Sequence, residues 1–489
     1  MILKTNIPEN LGIPSDVILK FIEHLERRKI CLHSFMILRR GEIAAEGYYP
    51  PYTADTLHRM YSQSKTFVSM AVGLLIDEGK LKLDDKVADF FPEYQPENMH
   101  EYIADATVRD LLMMSTPYTW GTYGMNDKNW VWTFLNRTPS HKAGALFIYD
   151  TSGTVMLNGI VEKIAGKELL EYMRPKLLDH LGFSKDAWCV ERPEGGAWGG
   201  SGVECSTHDI AKFALFLLNK GKWDGKQLIS EDYINQATSA LIDNRLSTDS
   251  PETQFGYGYQ IWRTRNNGFA MLGMGSQISL CAPDKDLILI TTADTQIVPH
   301  ANDIILDAFW NDVYQYIGDD LPENKDAYEK LKNKLDNLEF ISVEGKPTSV
   351  KSCESYGGKK YNLDKNPMNI STVQFDFDGD TGVMKYTNAT GDHEIKFGIC
   401  NYKTGEFPET HYFGRKIGVA KGSGYRYKAS GAWFDDQTLI IYLYIIDDYF
   451  GTLKINARFG DGNNITLFMS KVAEWFLDEY NGLATGICE

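Results

Sequence analysis

Apolar residues at three- and four-residue steps mark the first element of this chain. Val17, Ile18, Phe21, Ile22 and Leu25 share one helical face within residues 14–29, and Ser15 is the expected N-cap. The period then changes to that of strands. Residues 33–38 and 42–47 flank Arg39-Arg40-Gly41, which predicts a hairpin. An apolar run over 67–76 predicts a buried helix from 62 to a stop at Gly79. Further helices are expected at 108–114, 151–165 and 207–220, the last capped by Thr207. Strands return at 257–262, 268–272, 278–282 and 287–292, followed by a helix at 302–317.

This order is satisfied by one antiparallel sheet built from both ends of the first 320 residues. Terminal helices pack on it and a helical region is inserted between its strands. Gly318-Asp-Asp-Leu-Pro-Glu-Asn-Lys325 is a polar break. Tyr328, Leu331, Leu335 and Leu338 then mark a helix, so 321–344 reads as a helical linker. From 345 the chain alternates strands and turns to its end. The expected class is therefore mixed α/β (α+β) over 1–320, with a C-terminal all-β barrel or sandwich over 345–489.

Composition narrows the partners. Hydrophobic residues make up 43% and charged residues 24%, so a large core is available. The net charge of −16 argues against nucleic acid and anionic membrane surfaces as partners. No apolar run reaches the length of a membrane span, and the N-terminus has no basic-then-apolar leader pattern, so a cytoplasmic location is expected. The seven cysteines form no Cys-x-x-Cys pair and the histidines have no ligand spacing, so neither a metal nor another cofactor is expected.

Chemistry concentrates at Ser62-Gln-Ser-Lys65, the one Ser-x-x-Lys of the chain. Residues i and i+3 share a helix face, so Lys65 can reach Ser62 Oγ. A serine hydroxyl becomes a strong nucleophile once a neighbour takes its proton, and a desolvated lysine can do so. The unpaired N–H groups of a first helical turn would face the same point.

Tyr61 to Val87, Thr107-Val-Arg-Asp-Leu-Leu-Met-Met-Ser115, Gly202 with Ser206 to Phe213, and Asn219 to Lys226 occur in that order. Together with Ser62-Gln-Ser-Lys65 they resemble the serine β-lactamase and penicillin-binding-protein superfamily, in its class C and esterase-like branch. The resemblance covers about two thirds of the chain and implies that Ser62 is the nucleophile. The family's second motif, Tyr-x-Asn, falls on Tyr149-Asp150-Thr151. It implies that Tyr149 shares proton transfer with Lys65. Thr151 stands where the asparagine is expected, which weakens a role in holding a substrate amide. A phenol works as a base only where a neighbouring cation favours the phenolate, and Lys65 is placed to be that cation.

The third motif is read at Gly273-Met274-Gly275-Ser276-Gln277, ahead of a strand and the helix near 302. On this alignment Met274 takes the place of a cation, and the Gln277 N–H joins that of Ser62 as oxyanion donor. A literal Lys403-Thr404-Gly405 reads instead as a surface turn of the β domain. Without a cation at 274, recognition of a substrate carboxylate is not expected. The chain therefore reads as a serine hydrolase for a small ester or amide. A D-amino-acid amidase or peptidase, a β-lactamase, and a penicillin-binding-like module with little turnover are the alternatives. Beyond that substrate, a second copy of the chain is the one partner left open.

Overall fold

The computed structural model describes residues 3–319, 321–346, 350–408, 412–422, 424–460 and 463–488. The chain divides into two compact units. One holds Met1–Phe340 with Arg415–Gly418, the other Ile341–Gly414 with Val419–Glu489.

The first unit is built on six strands: β1 (Leu32–Arg39), β2 (Glu42–Tyr48), β3 (Trp262–Arg263), β4 (Phe269–Gly273), β5 (Gln277–Ala282) and β6 (Leu287–Ala293). Their order is β2-β1-β6-β5-β4-β3, and every pairing is antiparallel. The early hairpin and the late strands thus join at the β1–β6 seam, from Leu32 opposite Ala293 to Arg39 opposite Leu287. All eight positions of β1 are buried, so Phe35 to Leu38 run apolar without alternation.

Six helices matter for the site: α1 (Ser15–Arg27), α2 (Ser64–Asp77), α3 (Thr151–Ala165), α4 (Thr207–Leu218), α5 (Ala301–Asp312) and α6 (Lys325–Asp336). Phe21 of α1 meets Phe309 of α5 edge to face at 5.7 Å. The α4 helix packs on β5 and β6, and Phe67 of α2 stacks on Phe213 of α4 at 4.1 Å. Phe67, Val68, Met70, Val72 and Leu75 of α2 are all fully enclosed, which is why this helix is apolar on every side. Each such side chain contributes roughly 1.5–3 kcal/mol, so the α2 backbone is held firmly. The α6 helix packs on α1, with Lys334 bridging to Glu26 at 2.7 Å, and lies within the first unit.

Several local expectations are corrected. Ser15 does not cap α1. Its N–H and hydroxyl bond to the Glu9 carboxylate at 2.8 and 2.9 Å, six residues upstream. Ser206, not Thr207, caps α4, in a capping box with Asp209. Thr207 instead turns its hydroxyl to Ser34 at 2.7 Å. The strand expected at 257–262 shrinks to Trp262–Arg263, because Gln260 adopts φ +60° and breaks the extended run. The Lys403-Thr404-Gly405 segment is not a turn: it lies on the strand Lys403–Phe407.

The second unit is a barrel. Strands Lys360–Leu363, Thr372–Asp378, Thr381–Asn388, Gly391–Ile399, Tyr425–Trp433, Thr438–Ile446, Phe450–Phe459, Asn464–Ala473 and Gly482–Cys488 form a nine-membered ring, and Lys403–Phe407 adds to its edge. Nine strands cannot alternate direction all the way round. One neighbouring pair must run parallel, and it is Gly391–Ile399 with Tyr425–Trp433. Closure removes the open edges that a sandwich would leave. Phe459 lies inside, within 6.0 Å of the Tyr356, Tyr361, Phe375 and Trp433 rings. Among the described residues no helix is long and apolar enough to cross a membrane.

Candidate active site

The segment entering α2 is strained directly before Ser62. Tyr61 is fully buried and adopts φ +47°, a left-handed conformation unusual for an aromatic residue. A 3-10 turn over Tyr61–Gln63 follows, and α2 starts at Ser64. Ser62 therefore stands on the turn before the α-helix, half-buried, and not on the helix itself as the spacing suggested. Lys65 is buried and donates from Nζ to Ser62 Oγ at 2.9 Å and to the Gly200 carbonyl at 2.7 Å.

Gly200 belongs to Trp198-Gly-Gly-Ser-Gly202, between Val190 and the short strand Val203–Cys205. A β-carbon on Gly200 would come within 2.5 Å of Thr151 Cγ2. Only glycine lets this backbone lie against α3 and bring its carbonyl to Lys65. Thr151, in the place expected for an asparagine, thus packs against the peptide that holds the lysine. Sequence reading overlooked the Gly200 carbonyl. The run of small residues at 199–202 was its one local signal.

Tyr149 precedes α3, and Asp150 caps that helix by accepting from the Ser152 N–H at 2.8 Å. The Tyr149 ring stacks on Trp262 at 5.3 Å, and Lys65 Nζ stands 5.1 Å from its centroid. Its phenol is hydrogen-bonded with Ser62, which favours ionisation, but burial dominates and pushes it up to about 12. The residue as a whole is 37% exposed, so the enclosed part is its hydroxyl end. The nearby cation therefore does not make Tyr149 a phenolate at neutral pH. Asp150 is buried as well, and its second oxygen accepts from the Thr116 hydroxyl at 3.0 Å. Burial raises its carboxyl, while the Ser152 and Thr116 bonds and the Lys65 charge oppose that rise.

The third segment is the turn between β4 and β5. A β-carbon on Gly273 would lie 2.3 Å from the Met60 carbonyl, so this turn abuts the strained approach to Ser62. Gly275 and Ser276 both take positive φ, at +78° and +68°. Thr295 pins them, its N–H donating to Gly275 O at 3.2 Å and its hydroxyl meeting Ser276 Oγ at 2.6 Å. Gln277 is fully buried and pairs with Gly273 across the ladder. Its amide donates to Met274 O and Ala293 O at 2.8 and 2.7 Å and accepts from the Ala293 N–H at 3.0 Å. The Gln277 side chain is thus a brace for the turn. Met274 is exposed and supplies no charge.

Ser62, Lys65 and Tyr149 are therefore gathered at one point. Thr151 lies behind Lys65, and Met274 to Gln277 form a braced turn beside Met60. Lys403 belongs to the barrel unit, and its ammonium is paired with Asp380 at 3.1 Å. Among the described residues no three His, Cys, Asp or Glu side chains gather as a metal would require.

Three kinds of likeness accompany this geometry. A family model described as Beta-lactamase matches residues 21–308. The 6-aminohexanoate-dimer hydrolase of Paenarthrobacter ureafaciens is 25% identical over 285 residues, which span 53% of this chain and 72% of that protein. The structure of EstCE1, a hydrolase with promiscuous acyltransferase activity, matches 61% of this chain and 99% of its own with a TM-score of 0.50 at 14% identity. That of SurE with D-Leu matches 91% of this chain and 93% of its own, with a TM-score of 0.51 at 16% identity.

Proposed function

The chain belongs to the beta-lactamase family, and from that premise we propose that it is a serine hydrolase cleaving a small ester or amide through an acyl-enzyme on Ser62. The observation that carries this reading is Lys65 Nζ, 2.9 Å from Ser62 Oγ and 2.7 Å from the Gly200 carbonyl, so that as a neutral amine it can donate to that carbonyl while accepting from Ser62. That contact gives the Ser62 proton somewhere to go.

In this reading Lys65, as the amine, takes the Ser62 proton while Oγ attacks the substrate carbonyl. The oxyanion is met by backbone N–H groups of Ser62 and Gln277, each worth roughly 3 kcal/mol in the transition state. Tyr149, kept as a phenol, donates its proton to the departing oxygen or nitrogen. It recovers one from the Lys65 ammonium, which returns to the amine. A water then repeats the sequence in place of Ser62, the acid leaves, and the serine is restored. A neutral Met274 beside the site disfavours substrates that need a carboxylate anchor. Small neutral esters and amides are the class that remains.

The test is hydrolysis of p-nitrophenyl butyrate and of short-chain amides by wild type and Ser62→Ala, with intact mass measured after mixing. An acyl increment on the wild type alone, with turnover abolished in S62A, is the expected result. Equal turnover by the two proteins would overturn the proposal. A stable adduct without turnover would mark a binding module instead.

A further inference from the structure

Arg59 is fully buried three residues before Ser62, and it touches both segments that build the site. Its guanidinium lies 4.3 Å from the Tyr61 ring centroid and 5.0 Å from the Trp198 ring centroid. In its own plane it donates from Nε to Ser201 O at 3.0 Å and from a terminal nitrogen to Ser201 Oγ at 3.2 Å. Its backbone pairs with that of Glu204, itself buried.

The identity of these neighbours gives Arg59 its meaning. Tyr61 is the residue in left-handed conformation directly before the nucleophile. Trp198 and Ser201 bracket Gly199 and Gly200, and the Gly200 carbonyl holds Lys65. One planar cation is thus in contact with the support of Ser62 on one side and the support of Lys65 on the other. Two further bonds tie the same segments: Met60 N–H to Val203 O at 2.8 Å and Val203 N–H to Ser64 Oγ at 2.9 Å. A planar guanidinium can lie against two rings while donating from two nitrogens of one fork to a single residue; an ammonium lacks that planar fork, and an aliphatic chain has neither charge nor donor.

Resting on the serine-hydrolase reading above, we infer that Arg59 is a positioning residue that sets the Ser62–Lys65 distance by tying the Tyr61 turn to the Trp198–Ser201 segment. It touches no reacting atom. Its contribution is to geometry that the chemical step needs and substrate binding does not, so its loss falls on kcat.

The experiment compares Arg59→Lys, Arg59→Ala and Ser62→Ala with wild type on p-nitrophenyl butyrate, with thermal unfolding measured in parallel. Folded R59K is expected to lose about 100-fold in kcat with KM within about threefold, and methylguanidinium is expected to restore R59A at least about tenfold. Wild-type kcat in R59K, or no rescue of a folded R59A, overturns the inference. If both Arg59 variants fail to fold, Trp198→Phe and Trp198→Leu decide. W198F keeps an aromatic face and is expected to retain kcat, W198L is expected to lose it at unchanged KM, and equal kcat in the two overturns the inference. Full activity in S62A would instead mean that the hydrolase reading itself had failed. An inactive S62A beside fully active Arg59 or Trp198 variants would reject only the role of Arg59.

Discussion

Thr151 Cγ2 occupies the space that a β-carbon on Gly200 would need, at 2.5 Å. Two residues from distant parts of the chain therefore decide together how close the Gly200 carbonyl comes to Lys65. Gly200→Ala is expected to push this peptide away and lower kcat at least about tenfold, because a small misplacement of a catalytic group is costly. Thr151→Ser removes the obstructing methyl and should recover much of that loss in the double variant. Additive effects of the two changes in a double-mutant cycle would contradict this account.

Tyr149 should matter most when the leaving group needs a proton. Tyr149→Phe is expected to slow amide and alkyl-ester hydrolysis by about 10²–10⁴-fold, and p-nitrophenyl ester hydrolysis far less, since nitrophenolate departs unprotonated. The phenol also has a stability signature. Its folded value of about 12 lies above its ordinary value of 10, so its contribution is complete below pH 10 and is lost as pH rises towards 12. Urea unfolding at pH 9 and pH 11 should therefore show a larger fall for wild type than for Y149F.

Asp150 is a buried carboxyl raised above its ordinary value near 3.8. A raised carboxyl binds its proton more tightly in the folded state, so stability falls as pH rises from the unfolded value through the folded one. Asp150→Asn keeps the cap acceptor but has no such titration. Wild type should lose stability relative to D150N between pH 4 and pH 7 in urea titrations. Asp150→Ala removes the cap and should cost about 1 kcal/mol relative to D150N at any pH.

A charge at position 274 should change substrate choice. Met274→Lys places an ammonium at an exposed position of the turn beside Met60, where it meets little desolvation cost. It is expected to raise kcat/KM for carboxylate-bearing esters by about tenfold relative to neutral ones. An unchanged ratio across a matched pair of esters would place the substrate elsewhere.

Gln277→Leu tests the brace. The substitution keeps volume but strands the Ala293 N–H and removes the donors to Met274 O and Ala293 O. Each buried group left unpaired costs about 1–3 kcal/mol, so chemical denaturation should show a clear loss of stability together with lower kcat.

Much of this molecule could be read along the chain. The β1–β6 seam follows from two strand signals separated by a helical region. The α2 helix follows from an apolar run too long and too uniform for an exposed helix. Where local reading failed, a side-chain partner or a backbone state had intervened. Glu9 replaced the expected cap at Ser15, and Gln260 cut short a strand at a positive φ. Each of these depends on a partner or a backbone state that hydrophobic period does not record.

The site divides in the same way. Spacing by itself determined that Ser62 and Lys65 stand one turn apart, and the motif order singled out Tyr149 and the 273–277 turn. Tertiary structure alone decided that Gly200 supplies the second partner of Lys65, that burial keeps Tyr149 a phenol, and that Arg59 reaches a residue 142 positions away. The physical reason is the range of the forces. Periodicity and i,i+3 neighbours are written within a few residues, whereas desolvation and aromatic–guanidinium packing exist only once remote segments have come together.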